Sequence, residues 1–228
     1  MSDPEPGQMA DMRDWVPDDR PPEGIRSARL RLAAAIRQMN HLLIDADLSA
    51  EELNRAAEVA EGFVDRLERG PRGATHWGFA ESSNSGNTHA LFDRSPVIGV
   101  GNAIAPPLKL VVEQGEVRGG GVFGQAYEGP PGHLHGGWVA AAFDEVLGMV
   151  QSTTGNPGMT GTLTVRYRRP TPLHRHLEFV GRVDRVEGKK IFTSATLHAG
   201  EALCAEAEAV FVSVGRSRFK EMADGRRG

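Results

Sequence analysis

Residues 130–150 read PPGHLHGGWVAAAFDEVLGMV, and segments of strand-like sequence lie on both sides of them. From Trp138 to Val150 the residues predict a helix that is apolar nearly all round, and a helix without a polar face has to be buried. Asp144 lies inside this helix, where an unpaired carboxylate would cost several kcal/mol or change its pKa. The stretch therefore predicts a central buried helix that contains a carboxylate with a structural or functional role. Asp144 and Glu145 could instead mark a solvated edge, or backbone donors could satisfy Asp144 in the core.

The residues at the start of this helix favour a functional role for Asp144. His135-Gly136-Gly137 places backbone N–H groups without side-chain crowding at a helix N-terminus, where unpaired donors and the helix dipole favour negative charge. An acid and a set of oxyanion-type donors on one buried helix indicate acyl-group chemistry.

The spacing of the two groups has a consequence for assembly. Gly137 and Asp144 are seven residues apart, so they lie about 10 Å apart along one helix and cannot both touch the same reacting carbon. If two such helices lay antiparallel across a two-fold axis, Gly137 of one subunit would approach Asp144 of the other, and two equivalent sites would form. The sequence therefore predicts a dimer with interfacial sites.

On both sides of the helix, apolar and polar residues alternate with a period of two, which predicts strands. A strand meander wrapped round one hydrophobic helix is an α+β arrangement with the helix on one sheet face. Within the second strand, Gly119-Gly120-Gly121 suggests a bulge or a close backbone approach. The predicted strands cover residues 107–114, 116–127, 159–169, 177–187, 190–199 and 202–214.

Outside this region the composition predicts several different segments. Residues 1–24 are predicted to be a disordered arm and residues 216–228 a basic flexible tail. Residues 25–70 carry helical spacing and a capping box that starts at Ser49, so they predict a helical hairpin extension that should pack on the main domain or on a partner subunit. Residues 71–96 are predicted to be a linker that crosses the surface, and residues 97–215 the main domain.

Composition excludes some functions and indicates a compartment. The 26 Lys and Arg residues against 30 Asp and Glu residues give a net charge of −4, which offers no global electrostatic case for binding nucleic acid. The single cysteine, Cys204, excludes an internal disulfide and fits a reducing compartment, so a cytoplasmic location is expected. We expect no membrane span and no secretory signal, because the sequence has neither a run of about 20 apolar residues nor a basic-then-apolar leader.

Six motifs follow one another between about residue 107 and residue 214. They are Tyr127-Glu128-Gly129, Leu134-His135-Gly136-Gly137, the apolar helix with Asp144, Met159-Thr160, Tyr167-Arg168-Arg169-Pro170 and Val186-Glu187-Gly188-Lys189-Lys190. Their order resembles that of the hotdog-fold acyl-CoA thioesterases, and within them the PaaI-like branch and the THEM4-type thioesterases. This resemblance implies a hotdog fold, in which an antiparallel sheet wraps round a central buried helix, and it leaves the N-terminal helices unexplained.

The resemblance implies a role for each motif residue in the reaction. Asp144 stands where the family places its catalytic carboxylate, which acts as general base or nucleophile, and a partly desolvated carboxylate is a better base than one in bulk water. Gly137, with Gly136 beside it, stands where a backbone N–H polarises the thioester carbonyl. Thr160 matches the hydroxyl residue that helps to position the attacking water. His135 matches the motif histidine, whose expected role is to shape the turn.

The resemblance also implies acyl-CoA as substrate. Arg168, Arg169, Lys189 and Lys190 fall where the family meets the CoA phosphates, although solvated surface charge is an alternative for each of them. The expected assembly is a dimer or a dimer of dimers. No metal or redox cofactor is expected, since CoA enters only as part of the substrate and product. The acyl chain length cannot be read from the sequence.

One position departs from the PaaI-like pattern. Many members have an Asn about six residues before the motif histidine, and here that position is Gly129. The chain could use its backbone or Glu128 instead, and THEM4-type members share the departure.

Two other classes of function stay open on the sequence. The His-x-His pairs, His133/His135 and His174/His176, could hold a metal if they lay along strands. A hotdog module could also bind an acyl ligand without turning it over. A hydratase would need a different Asp/His signature, which the sequence lacks.

Overall fold

The computed structural model describes residues 21–70, 92–106, 108–156 and 158–214. The predicted tail, nearly all of the predicted arm and most of the predicted linker lie outside these described residues. The elements are α1 (Gly24–Asp45), α2 (Ala50–Arg69), β1 (Lys109–Glu113), β2 (Glu116–Val122), a 3-10 helix (Gln125–Tyr127), α3 (Gly136–Ser152), β3 (Gly158–Tyr167), β4 (His176–Glu187), β5 (Lys190–Ala199) and β6 (Ala202–Ser213).

A single six-stranded sheet, with strand order β1-β2-β4-β5-β6-β3, forms the main layer. Every neighbouring pair in it is antiparallel. Helix α3 packs across one face of this sheet and contacts β4, β5, β3, β6 and β2. The arrangement confirms the predicted α+β fold with a central helix, and it makes β1 and β3 the two edge strands.

The apolar sequence of α3 explains why it occupies the centre. Eight of its residues are buried, and the ring of Phe143 meets that of Phe179 on β4 edge to face, with 5.4 Å between the centroids. A helix with so little polar surface gains most of its stability from this packing. The eight residues are Val139, Ala142, Phe143, Val146, Leu147, Met149, Val150 and Gln151.

The glycines of β2 allow a close backbone approach rather than a bulge. A Cβ on Gly119, whose φ is +139°, would lie 1.9 Å from the Lys109 carbonyl oxygen, and one on Gly120 would lie 1.8 Å from that of Leu177. The pairing of β2 with β1 and β4 runs without a register shift. Only glycine leaves room for both neighbouring strands at this point.

The second predicted strand ends earlier than expected, at Val122, and the chain turns into the 3-10 helix. Tyr127, the last residue of this 3-10 helix, is buried by contacts outside the sheet. Its hydroxyl donates to the Ile104 carbonyl oxygen at 3.1 Å, and its ring meets Trp138 edge to face at 4.9 Å. The period-two pattern did not reveal this tertiary contact.

Helix α1 is attached to the main domain along one face. Arg26 makes a two-pronged ion pair with Asp93, and Arg37 donates to the Ala105 and Asn102 carbonyl oxygens, each at 2.7 Å. His41 Nδ1 accepts the Ala126 backbone N–H at 3.0 Å. Burial and the nearby charges of His174 and Arg37 lower the pKa of His41, which suits a neutral ring that accepts a hydrogen bond.

Helix α2 begins at the predicted capping box. Ser49 Oγ accepts the Glu52 N–H, and the Glu52 carboxylate accepts the Ser49 N–H. No residue of α2 is buried, so this helix does not pack on the main domain. None of the described helices is both long and apolar enough to cross a membrane.

Candidate active site

Asp144 and Thr160, two of the residues predicted for the site, meet at the middle of α3. Thr160 Oγ1 donates to Asp144 Oδ1 at 2.9 Å. Thr160 lies near the start of β3, where the register with β6 shifts between Thr160 and Thr162. A helix residue and a strand residue that are distant in sequence therefore present a carboxylate and a hydroxyl side by side.

The partly desolvated carboxylate of α3 is not the one that was expected. The Asp144 side chain is exposed in the single chain, whereas Glu145 is partly buried. Burial raises the pKa of Glu145 to about 7; the neighbouring Asp144 charge adds to the rise, and a hydrogen bond with Ser95 opposes it. Ser95 is itself buried, and its Oγ accepts the Val97 and Ile98 N–H groups. No local sequence pattern indicates this contact, because Ser95 lies in a loop with no helical or strand period.

The N-terminal end of α3 presents backbone donors, as predicted. His135 is the N-cap residue with extended backbone, and its Nδ1 accepts the Gly137 N–H at 2.9 Å. Tyr167 Oη donates to the Gly136 carbonyl oxygen at 2.8 Å and so ties this turn to the end of β3. A ligand carbonyl can use the Gly137 N–H by displacing His135 Nδ1 or sharing the donor with it. Tyr167 belongs to one of the sequence motifs, but the sequence alone did not predict a role for it.

The loop before α3 explains the departure at residue 129. A Cβ on Gly129 would lie 2.7 Å from the His135 Cα, so a larger residue would push the cap residue away. Glu128 Oε1 accepts the Gly132 N–H at 2.5 Å, and its other oxygen accepts a hydrogen bond from Gln125. Glu128 is therefore committed to shaping this loop.

The four predicted basic residues form two pairs at opposite ends of the sheet. Tyr167, which precedes Arg168 and Arg169, lies opposite Ala205 on β6, whereas Lys190 lies opposite Val212. Seven residues of β6 separate these points, a distance of about 23 Å. The arginines lie at the end that holds the Gly136 turn, and Arg168 forms an ion pair with Glu206.

The lysines lie at the other end, near Thr160, because Met159 also pairs with Val212. One chain therefore does not bring the four basic residues together.

The histidine pairs are engaged in local contacts. His133 Nδ1 lies 2.8 Å from the Pro131 carbonyl oxygen, and His174 Nε2 lies 3.3 Å from Gln125 Oε1. Throughout the part of the chain that the structure describes, no group of three or more His, Cys, Asp or Glu side chains could hold a metal ion.

Comparison with known proteins places the site within a known family. A model of the thioesterase superfamily matches residues 131–206, which include both ends of the site. The acyl-coenzyme A thioesterase THEM4 of Xenopus laevis is 37% identical over 93 residues, which are 40% of this chain and 42% of that protein. THEM4 of Bos taurus is 34% identical over 93 residues, covering 40% of this chain and 38% of its own. The chain thus matches less than half the length of these two relatives.

A solved structure extends the similarity over most of the chain. The crystal structure of a thioesterase superfamily protein is 34% identical in sequence and aligns with a TM-score of 0.73. The alignment covers 84% of this chain and 97% of that protein, so it reaches well beyond residues 131–206. The chain belongs to the thioesterase superfamily.

Proposed function

We propose that the chain is an acyl-CoA thioesterase, which hydrolyses an acyl-CoA to the free acid and CoA at sites formed between two copies of the chain. The observation that carries the proposal is the Thr160–Asp144 hydrogen bond at 2.9 Å, which holds a hydroxyl of β3 against a carboxylate on the helix whose N-terminus presents backbone donors. The names of the THEM4 relatives supply the substrate class.

Each group has a defined step in the proposed reaction. The Gly137 N–H, with Gly136 beside it, receives the thioester carbonyl oxygen and stabilises the negative charge that develops there. Thr160 donates a hydrogen bond to Asp144 Oδ1. Asp144 Oδ2 is then available to take a proton from water. The water oxygen attacks the carbonyl carbon, the carbon–sulfur bond breaks, and CoA leaves as a thiolate that is then protonated. His135 positions the Gly137 donor. We expect the reaction to need no metal or redox cofactor, and turnover after dialysis against a chelator tests this.

The edge strand β3 offers a way to unite the two ends of the site. This strand forms one edge of the sheet, and most of its ten residues are exposed. An unpaired edge strand is a template for pairing with another chain. Antiparallel pairing of two β3 strands about a two-fold axis near Leu163 would set Thr160 of one copy opposite Arg166 of the other. The Asp144 end of one α3 would then face the Gly137 end of the second.

The same pairing would also join the separated basic pairs. Arg168 and Arg169 of one copy would lie on the same side of the interface as Lys189 and Lys190 of the other. A joint cluster of this kind suits the phosphates of CoA, since arginine binds phosphate through its planar fork and lysine as a point charge.

A panel of short, medium, long-chain and aryl acyl-CoAs tests the proposal by measuring release of free CoA. We expect turnover of at least one substrate, with a fall in kcat of about 10²–10⁴ in Asp144→Asn, the range for loss of a general base. Asp184→Asn is the matched control, since Asp184 lies on β4 and accepts a hydrogen bond from Ser194. We expect it to keep full turnover.

A module that binds acyl-CoA without hydrolysing it is the competing function. That function would show acyl-CoA binding with no release of CoA from any member of the panel, and equal background rates with and without Asp144.

A further inference from the structure

Helix α2 has an apolar stripe that nothing in the described chain covers. The stripe residues recur at alternating intervals of three and four, the spacing of a coiled-coil seam. An isolated helix of 20 residues gains little stability without tertiary packing of its apolar face. Its large side chains are substantially exposed, with Leu53 at 37%, Phe63 at 38% and Leu67 at 52%. The stripe consists of Leu53, Ala56, Ala60, Phe63 and Leu67.

Helix α1 carries a second stripe with the same alternating spacing. Its docked face holds Arg26, Ala33, Arg37 and His41 against the main domain. On a helix of 3.6 residues per turn the stripe falls on the opposite side, and its members are all exposed. The α1 stripe consists of Ile25, Ala28, Leu32, Ala35, Met39 and Leu42.

The two stripes do not cover each other within one chain. Residues 46–49 connect the helices with extended backbone at both ends, φ −70° and ψ 118° at Ala46 and φ −64° and ψ 154° at Ser49. Every residue of α2 is exposed, which excludes a packed hairpin with α1 of the same chain in this arrangement.

The two stripes are similar in length, and the two helices carry opposite net charges. Helix α1 has four arginines against one acid, Asp45, for a net charge of +3, while α2 has six acids against three arginines, for a net charge of −3. The helices have 22 and 20 residues, so they are about 33 and 30 Å long. Each stripe contains two alanines among larger side chains, so large residues of one can fill the spaces over the alanines of the other.

We propose that the α1–α2 segment is a self-association surface in which the stripe of α2 packs on the α1 stripe of a second copy. The two copies exchange α2 reciprocally, so that two α1 and two α2 helices form a four-helix bundle. The exchange buries both stripes and brings opposite net charges together. It uses the N-terminal helices alone and does not depend on the proposed hydrolysis.

Molar mass in solution tests this surface with the full chain. We expect the double substitution Leu53→Glu/Phe63→Glu to halve the size of the assembly, because it places charges on the stripe. Arg55→Glu is the matched control, since it changes the net charge by the same two units on the charged side of α2 and should leave the size unchanged. The same mass for the unmodified and double-substituted chains overturns the proposal, as does a halving by Arg55→Glu.

Disulfide cross-linking identifies the pairing of helices. Ala35 and Ala60 are stripe residues at the middle of their helices, so they approach each other whether the helices run parallel or antiparallel. The native Cys204 is 2% exposed and stays out of the reaction. Coexpressed chains carrying Ala35→Cys and Ala60→Cys with different tags should oxidise to a covalent dimer of the two different chains. Exclusive formation of an internal disulfide in the Ala35→Cys/Ala60→Cys chain, or of Ala60→Cys homodimers, overturns the exchange of α2 onto α1.

Discussion

The two ends of the site that lies along α3 are built differently. At the N-terminal end the groups that matter are backbone atoms, held by the His135 cap on the Gly137 N–H and by Tyr167 on the Gly136 carbonyl oxygen. At the other end they are side chains, Asp144 and Thr160, which hydrogen-bond to each other at 2.9 Å. Each end has a fixed geometry, and the helix keeps them about 10 Å apart.

This difference supports the proposal that one chain holds two half-sites rather than one site. The donor end lies too far from Asp144 of its own helix, and the carboxylate end lies equally far from the N-terminal donors of that helix. The basic residues divide in the same way, with Arg168 and Arg169 at the donor end and Lys189 and Lys190 near the carboxylate end. In the proposed dimer, a second copy placed in the opposite direction completes both halves.

A large effect is expected from removal of the donor. Gly137→Pro deletes this N–H, which lies in the first turn of α3 and makes no helical hydrogen bond. Loss of one oxyanion donor should lower kcat by about 10²–10³, or about 2.7–4 kcal/mol in the barrier. Steady-state kinetics would measure this, with Gly137→Ala as the control that keeps the donor. A similar loss in Gly137→Ala would mean that space, not the N–H, matters at this end.

A smaller effect is expected beside the carboxylate end, where Glu145 has a pKa of about 7 against an ordinary value of 4.5. The folded state holds this proton to a higher pH than the unfolded state, so stability falls as the pH rises from about 4.5 and levels off above about 7. Glu145→Gln stays neutral and removes this part of the decline. After allowance for partial exposure, the variant should gain about 1–2 kcal/mol over the unmodified chain between pH 5 and pH 8.

Urea unfolding at fixed protein concentration and at several pH values would measure this difference. Parallel pH profiles for Glu145→Gln and the unmodified chain would show that the Glu145 carboxyl group does not couple to folding.

The smallest effect is expected from the hydroxyl at the carboxylate end. Thr160→Val keeps the shape of the side chain but removes the donor to Asp144, a hydrogen bond of about 0.5–1.5 kcal/mol. We expect kcat to fall by about three- to tenfold with little change in KM, and Thr160→Ser to retain most of the activity. A change in KM alone would assign Thr160 to substrate binding.

The sequence predicted the periodic parts of the fold well. β5 begins at Lys190 and ends at Ala199, as the alternation of apolar and polar residues indicated, and the capping box at Ser49 starts α2. These features depend on residues close in sequence, so local patterns suffice to find them.

The candidate site was less predictable, because it depends on contacts between distant residues. An apolar helix does not reveal which side will meet the sheet, so the exposure of Asp144 and the burial of Glu145 could not be separated in advance. The division of the basic residues follows from the register of β6 between β3 and β5. The sequence of the turn that contains Lys189 does not determine that register.

Complementation between two inactive variants tests the shared site most directly. Asp144→Ala and Gly137→Pro chains each lack one half-site, but a mixed dimer of them has one interface with an intact Asp144 and an intact Gly137. Random association of equal amounts gives half mixed dimers, each with one of two sites working, so about a quarter of the unmodified activity should return. No recovery in demonstrably mixed dimers would contradict the account, because it would place both groups of a working site in the same chain.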